Sequence, residues 1–229
     1  MHKLWARLSQ LLFPPTCLVC QQPGSYLCAA CLVQDKFPPA VLRCVRCNRP
    51  AIAGRTHNRC RTARTITGVW ASSAKTPALL KLAKQLKYRN SYQLASTLVK
   101  IMLLRPLPVI DQADCLVPVP LHPRRQKERG FNQAQLLAQQ LSAHYHLPVI
   151  NHWVKRIHHG KHQADIKHRP ERIKNIARGF AATSSLPDLS GKKIVLVDDL
   201  TTTGATLQQT AAVLLARKPD WVWGWAIAK

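Results

Sequence analysis

Apolar positions recur along this chain in two rhythms, with an arrhythmic stretch between them. Leu4, Trp5, Leu8, Leu11 and Leu12 sit near helical spacing and predict a short amphipathic helix that Pro14-Pro15 ends. Residues 16–62 show neither period; they are rich in turn formers and poor in large apolar side chains. From Thr65 the rhythm returns. Thr65–Ala71 reads as a strand. Leu79, Leu82, Ala83 and Leu86, then Ala95, Leu98, Val99 and Met102, mark two amphipathic helices broken near Asn90-Ser91. Cys115–Val119 is a short apolar strand, and Ala134, Leu137, Ala138 and Leu141 stripe another helix. Pro148–Ile157 and Ile194–Val197 read as strands, Leu207–Ala216 as a helix and Trp221–Ala228 as a final strand. Strands alternating with helices predict an α/β fold with a mostly parallel sheet. The expected organisation is an N-terminal helix over 1–15, a small segment over 16–62 and an α/β domain over 65–229.

Charge changes this picture first. Among 229 residues, 34 are Lys or Arg and 10 are Asp or Glu, a formal net charge of +24. The excess is spread over the whole chain and peaks between residues 114 and 186, so it is not a basic tail. Such a balance points to a polyanionic partner, nucleic acid or a phosphorylated ligand. No stretch approaches the roughly 20 apolar residues of a membrane-spanning helix. Residues 158–178 hold His158, His159, His162 and His168 among lysines and arginines, and read as a long basic loop. Trp221, Trp223 and Trp225 share one face of the last strand, where core packing is the simpler reading and base stacking the sharper one.

Cysteine changes it again. Seven of the eight cysteines precede residue 61, in pairs Cys17/Cys20, Cys28/Cys31 and Cys44/Cys47, with a fourth pair His57/Cys60. Two intervening residues let one tight turn present both side chains to a tetrahedral ion, so four such pairs predict structural zinc. A segment this small has too little core to fold alone, and the metal would supply much of its folding energy. Two sequential sites are the simplest arrangement: Cys17, Cys20, Cys28 and Cys31, then Cys44, Cys47, His57 and Cys60. The spacing also permits interleaved pairing, and His57 also reads as a solvated loop residue. A disulfide framework would need a secretory signal, which residues 1–15 do not resemble; a reducing, cytoplasmic setting is expected. Cys115, alone in an apolar run, reads as a small core residue.

With acids so scarce, the adjacent pair Asp198-Asp199 calls for a specific explanation. It ends the apolar run Ile194–Val197 and is followed by Leu200-Thr201-Thr202-Thr203-Gly204-Ala205-Thr206. In open α/β sheets, ligands bind at the carboxyl edge of the strands. The turn offers hydroxyls, backbone N–H groups and a helix N-terminus to a phosphate, and the acids can accept hydrogen bonds from vicinal hydroxyls. Together they describe a ribose 5-phosphate. Arg124, Arg125, Lys127 and Arg129 form a basic run suited to a pyrophosphate or to a DNA backbone. Lys87 fits either a phosphate contact or a solvated helix face.

The acid pair and its Thr/Gly loop resemble the phosphoribosyl pyrophosphate (PRPP) signature of type I phosphoribosyltransferases. The surrounding pieces resemble the ComF/GntX family: Phe13-Pro14-Pro15-x-Cys17-x-x-Cys20, Leu86-Lys87-Tyr88, Val117-Pro118-Val119-Pro120-Leu121, Arg125-x-x-x-Arg129-Gly130-Phe131-Asn132-Gln133, and Gln163 through Arg172 and Asn175 to Phe180. His57 departs from the family, which usually has Cys there. The resemblance implies a type I phosphoribosyltransferase-like sheet with helices on both faces, preceded by a double zinc ribbon with one or two Zn²⁺. It implies PRPP bound with Mg²⁺ by Asp198, Asp199, Thr201, Thr202, Thr203, Gly204, Ala205, Thr206, Lys87 and Arg129. It further implies a role in natural competence or DNA utilisation, with single-stranded DNA on Arg124, Arg125, Lys127 and Arg129 and a DNA-uptake helicase or other competence machinery as partner. Two other functions fit the same residues: an active Mg-dependent phosphoribosyltransferase with a nucleobase or amine acceptor, and a PRPP-sensing regulator.

Overall fold

The computed structural model describes residues 15–33, 36–88, 92–157 and 179–229. Four strands form a wholly parallel sheet: β1 (Gly68–Ser73), β2 (Cys115–Pro118), β5 (Lys193–Leu200) and β6 (Trp221–Ala228), in the order β1-β6-β5-β2. Beyond β2, Leu116 bridges Val149 in parallel, donating its N–H to the Pro148 carbonyl and accepting from the Ile150 N–H. Two further strands, β3 (Val154–Arg156) and β4 (Phe180–Ala182), pair antiparallel away from the main sheet.

Side-chain alternation along the strands divides the core in two. Val195 and Val197 of β5, with Trp223, Trp225 and Ile227 of β6, face one side. Helices α2 (Pro77–Tyr88), α3 (Tyr92–Leu104) and α5 (Gln133–Tyr145) cover it with Leu79, Leu82, Leu86, Leu98, Met102, Leu137 and Leu141. Ile194 and Leu196 face the other side, closed by Leu207, Ala211 and Leu214 of α6 (Ala205–Leu215). Trp225 is fully buried and its indole N–H donates to Ser72 Oγ at 2.9 Å, so the tryptophans of β6 serve the core.

Strand β4 is not expected from the sequence pattern, β1 begins at Gly68 rather than Thr65, and three further differences from that pattern bear on the site. The strand expected over Pro148–Ile157 is split, because the chain bends at the exposed pair Asn151-His152; the Thr183 and Ser185 hydroxyls donate to the His152 carbonyl there. The basic run is a helix of its own, α4 (Pro123–Arg129). Pro123 takes its first turn, His122 Nδ1 accepts from the Arg124 N–H, and Gly130 closes it at φ 78°. Asn132 then caps α5 and ties it to the end of β2, donating Nδ2–H to the Val119 carbonyl. Finally, β5 runs on to Leu200, so the two acids lie in register with β6 rather than beyond the sheet. The helix expected over 1–15 lies, up to residue 14, outside the described residues, as does the basic loop over 158–178.

Candidate functional site

Two cysteine clusters are built by the same device. Cys17 and Cys44 each open a tight turn: the N–H of Gln21 or Asn48, four residues on, donates back to the cysteine carbonyl. Gln21 and Asn48 take the left-handed conformation that closes each turn, at φ 67° and 58°. The turns carry Cys20 and Cys47 round to face their partners. Cys28 and Cys31 come from the first turn of α1 (Ala29–Val33) and the residue before it; His57 and Cys60 bracket a short 3₁₀ turn.

The ligand atoms of Cys17, Cys20, Cys28 and Cys31 lie within 4.8 Å of one another, as do those of Cys44, Cys47, His57 and Cys60. The pairing is therefore sequential, not interleaved. Cys20 and Cys28 are 3.6 Å apart, sulfur to sulfur. A tetrahedral ion with bonds of about 2.3 Å separates its sulfurs by about 3.8 Å, so the donor spacing fits zinc. His57 Nδ1 lies 3.3 Å from Cys47 Sγ, while Nε2 lies 3.0 Å from the Pro50 carbonyl. With the proton on Nε2 and donated to that carbonyl, the ring is oriented and Nδ1 is left free to be the ligand atom, as in metal-binding histidines. Burial opposes ionisation of Cys17 and Cys44, but backbone N–H groups and neighbouring thiols outweigh it and bring both to about 6. Burial and those same thiols push Cys31 up to about 12 and raise Cys60. Thiols held this close cannot all ionise unless a cation joins them.

Because the main sheet is all parallel, its carboxyl ends share one edge. There β5 delivers Asp198 and Asp199. The Asp199 N–H donates to Asp198 Oδ1 at 2.9 Å, and the Leu200 N–H to Asp199 Oδ1 at 2.7 Å. Burial and the adjacent Asp199 push the Asp198 carboxyl well above the usual carboxylate range, while the Asp199 N–H and Arg156 of β3 pull it back. The following loop is held by its own hydroxyls. Buried Thr201 Oγ1 accepts from the Gly204 N–H at 3.0 Å, and Thr203 Oγ1 from the Ala205 N–H at 3.3 Å. Gly204, at φ 80°, starts α6 without a side-chain cap, so the helix N-terminus is presented at the strand edge. Ala205 and Thr206 form the first turn of α6. Carboxylate oxygens suit a hard divalent cation, and the loop suits a phosphate.

The structure adds three residues that the sequence pattern did not single out. Lys75, just past β1, donates from Nζ to Thr202 Oγ1 at 2.9 Å. Arg156 faces Asp198 and Arg125 electrostatically, and its guanidinium stacks over Phe180. Val45, inside the second cysteine turn, packs on Gly204: a Cβ on that glycine would lie 2.9 Å from Val45 Cγ2. Lys75 and Arg156 lie on elements far from the motif in sequence, and only the strand order brings them to it.

On α4, Arg125 and Arg129 are half-buried on one side, one helical turn apart. Arg124 and Lys127 are exposed, and Arg124 Nε pairs with Glu128 at 3.2 Å. The basic run is thus divided between a half-buried pair, of which Arg125 lies in the electrostatic field of Arg156, and an exposed pair. Lys87 belongs to α2, and its side chain lies outside the described residues.

Residues 126–222 match the phosphoribosyl transferase domain family. Competence protein F of Haemophilus influenzae is 30% identical, over 65% of this chain and 66% of its own length. DNA utilization protein YhgH of Escherichia coli (strain K12) is 29% identical over 96% of this chain and 99% of its own. Competence protein ComFC of Bacillus subtilis is 39% identical over 47% of this chain, which covers 40% of that protein. One phosphoribosyl transferase domain, relatives named for competence and DNA utilization, and two cysteine clusters ahead of a parallel sheet agree: the chain belongs to the ComF family.

Proposed function

We propose that this protein serves DNA uptake or utilisation in a reducing, cytoplasmic compartment. In this reading it binds PRPP at the carboxyl edge of its sheet and single-stranded DNA on its basic surface. The observation that carries the ligand reading is the acid pair at the end of β5, followed directly by the threonine-rich loop that starts α6. In this reading the loop hydroxyls and the N-terminus of α6 hold the 5-phosphate, and Asp198 and Asp199 hold the ribose hydroxyls. Mg²⁺ bound with PRPP would screen the pyrophosphate charge. Arg156 faces Asp198 and Arg125 faces Arg156; with Arg129, one helical turn on from Arg125, they would hold the pyrophosphate. Two Zn²⁺ in the cysteine clusters would supply the folding energy that the small N-terminal segment lacks.

Isothermal calorimetry with Mg²⁺-PRPP on wild type and on Asp198→Asn/Asp199→Asn tests the ligand reading. Each hydrogen bond to a charged acceptor contributes about 1.5–3 kcal/mol, so losing both should weaken binding by about 10²-fold or more. Anisotropy with a labelled oligonucleotide should show DNA binding unchanged or slightly stronger, since two negative charges are gone. Unchanged PRPP affinity in the double variant would remove the ribose role of these acids.

A further inference from the structure

The second cysteine cluster carries an unusual set of neighbours. Arg43, Arg46 and Arg59 directly precede Cys44, Cys47 and Cys60, and Arg61 directly follows Cys60. Because the four ligand atoms lie within 4.8 Å of one another, residues adjacent to them are gathered onto one small surface. Arg49, Arg55 and Arg64 extend the set to seven arginines in 22 residues, without a single lysine. No acidic residue occurs anywhere between residues 36 and 110. Arg46, Arg59 and Arg61 are exposed, and among the described residues their side chains have no hydrogen-bond or ion-pair partner. Ile52, on the loop between the two halves of the cluster and between Arg49 and Arg55 in sequence, is 91% exposed.

We propose that this arginine-flanked metal module is a nucleic-acid-binding surface, distinct from helix α4; the inference rests on the single-stranded DNA reading above. Four features favour that occupant. Guanidinium groups match phosphate oxygens with two parallel hydrogen bonds, which a lysine surface does not. The arginines flank ligand pairs that a bound metal would hold fixed, so less backbone freedom would be lost when they engage a strand. An exposed isoleucine offers a contact to base faces beside the charged ones. Finally, the patch is not laid out along an amphipathic helix, the form in which basic residues meet a membrane surface.

The test uses the full-length, zinc-loaded protein and a labelled single-stranded oligonucleotide, with affinity measured across a salt series. The variant is Arg46→Glu/Arg59→Glu/Arg61→Glu, which leaves every metal ligand in place. Each phosphate contact on a single strand contributes about 0.7 to the slope of log affinity against log salt. Three lost contacts should flatten the slope by about 2 and weaken binding by about 10²-fold at 0.1 M salt. Where zinc content or circular dichroism shows the charge reversal disturbing the module, Arg→Gln at the same three positions gives the same flattening on a milder background. Wild-type slope and affinity in a folded variant, while the wild type binds DNA, overturns this inference and assigns the binding to α4. Loss of binding to phosphatidylglycerol vesicles with oligonucleotide binding intact also overturns it, in favour of a membrane surface. A wild type that does not bind DNA at all removes both this inference and the reading beneath it.

Discussion

Gly204→Ala would place a methyl group where the second cysteine turn meets the threonine-rich loop that starts α6. The new Cβ would lie 2.9 Å from Val45 Cγ2 and 3.4 Å from Val69 Cγ2. Two costs follow, and they separate experimentally. Holding alanine at φ 80° costs about 1–2 kcal/mol, whatever the space around it. Overpacking against Val45 costs a further 1–3 kcal/mol or so, because the methyl abuts a side chain fixed by the cysteine turn. Val45→Ala alone should cost only about 1 kcal/mol, since its side chain is half-buried. In the double variant the clash is gone and the backbone strain remains. A double-mutant cycle by urea denaturation of the metal-loaded protein should therefore show a favourable coupling of about 1–3 kcal/mol between the two sites. Strict additivity would mean that the cysteine turn does not buttress the loop. Calorimetry with PRPP on Gly204→Ala should show weakened binding, largely restored in the double variant.

Three further outcomes follow, one from Asp198 and two from the cysteine clusters. Asp198 is an acid whose folded-state pKa is raised by burial and by Asp199, so its ionised form is penalised in the folded protein. Wild-type stability should fall as pH rises from about 4, the ordinary Asp value, through the raised one. Asp198→Asn should thus match wild type near that lower pH and be the more stable protein at pH 7–8; equal denaturation midpoints throughout would refute the penalty. Treatment with a strong chelator should release two zinc ions per chain. Cys17→Ser should lower the melting temperature of the whole protein, because Cys17 and Cys31 belong to the core with Leu27 and Phe37; an unchanged melting temperature would show that the first cluster is a detachable appendage.

Local chemistry made much of this molecule legible in its sequence. Metal-ligand spacing is a short-range property, so the ligand pairs could be read directly, and the clusters form from neighbouring pairs. The acid pair and its threonines were readable because one strand, one turn and one helix start are contiguous. Helical stripes such as Leu79, Leu82 and Leu86 were readable because their burial obeys a simple period. Helix α4 was missed because its side chains are polar all round and give no stripe. Its signals were the weaker ones, Pro123 at the first turn and Gly130 after the last. The split of Pro148–Ile157 has a local signal, the polar pair Asn151-His152 inside the segment, but the bend there is held by Thr183 and Ser185, about 30 residues away.

What could not be read is whatever the strand order decides. Lys75 follows β1, which lies two strands from β5, a separation of about 10 Å that a lysine side chain and the intervening loop can bridge. No pattern near Lys75 says that β6, the last strand of the chain, will insert between β1 and β5. The same insertion makes the cysteine segment part of the site. Gly54 packs so tightly on β1 that a Cβ there would strike the Val69 carbonyl, and Thr56 is pinned to the backbone of Ile66 and Thr67. The second cysteine turn is thereby fixed beside β1, and once β6 has joined β1 to β5, Val45 meets Gly204. A segment that reads in sequence as a separate appendage becomes a wall of the threonine-rich loop that starts α6, through contacts of glycine with backbone and valine that carry no motif at all.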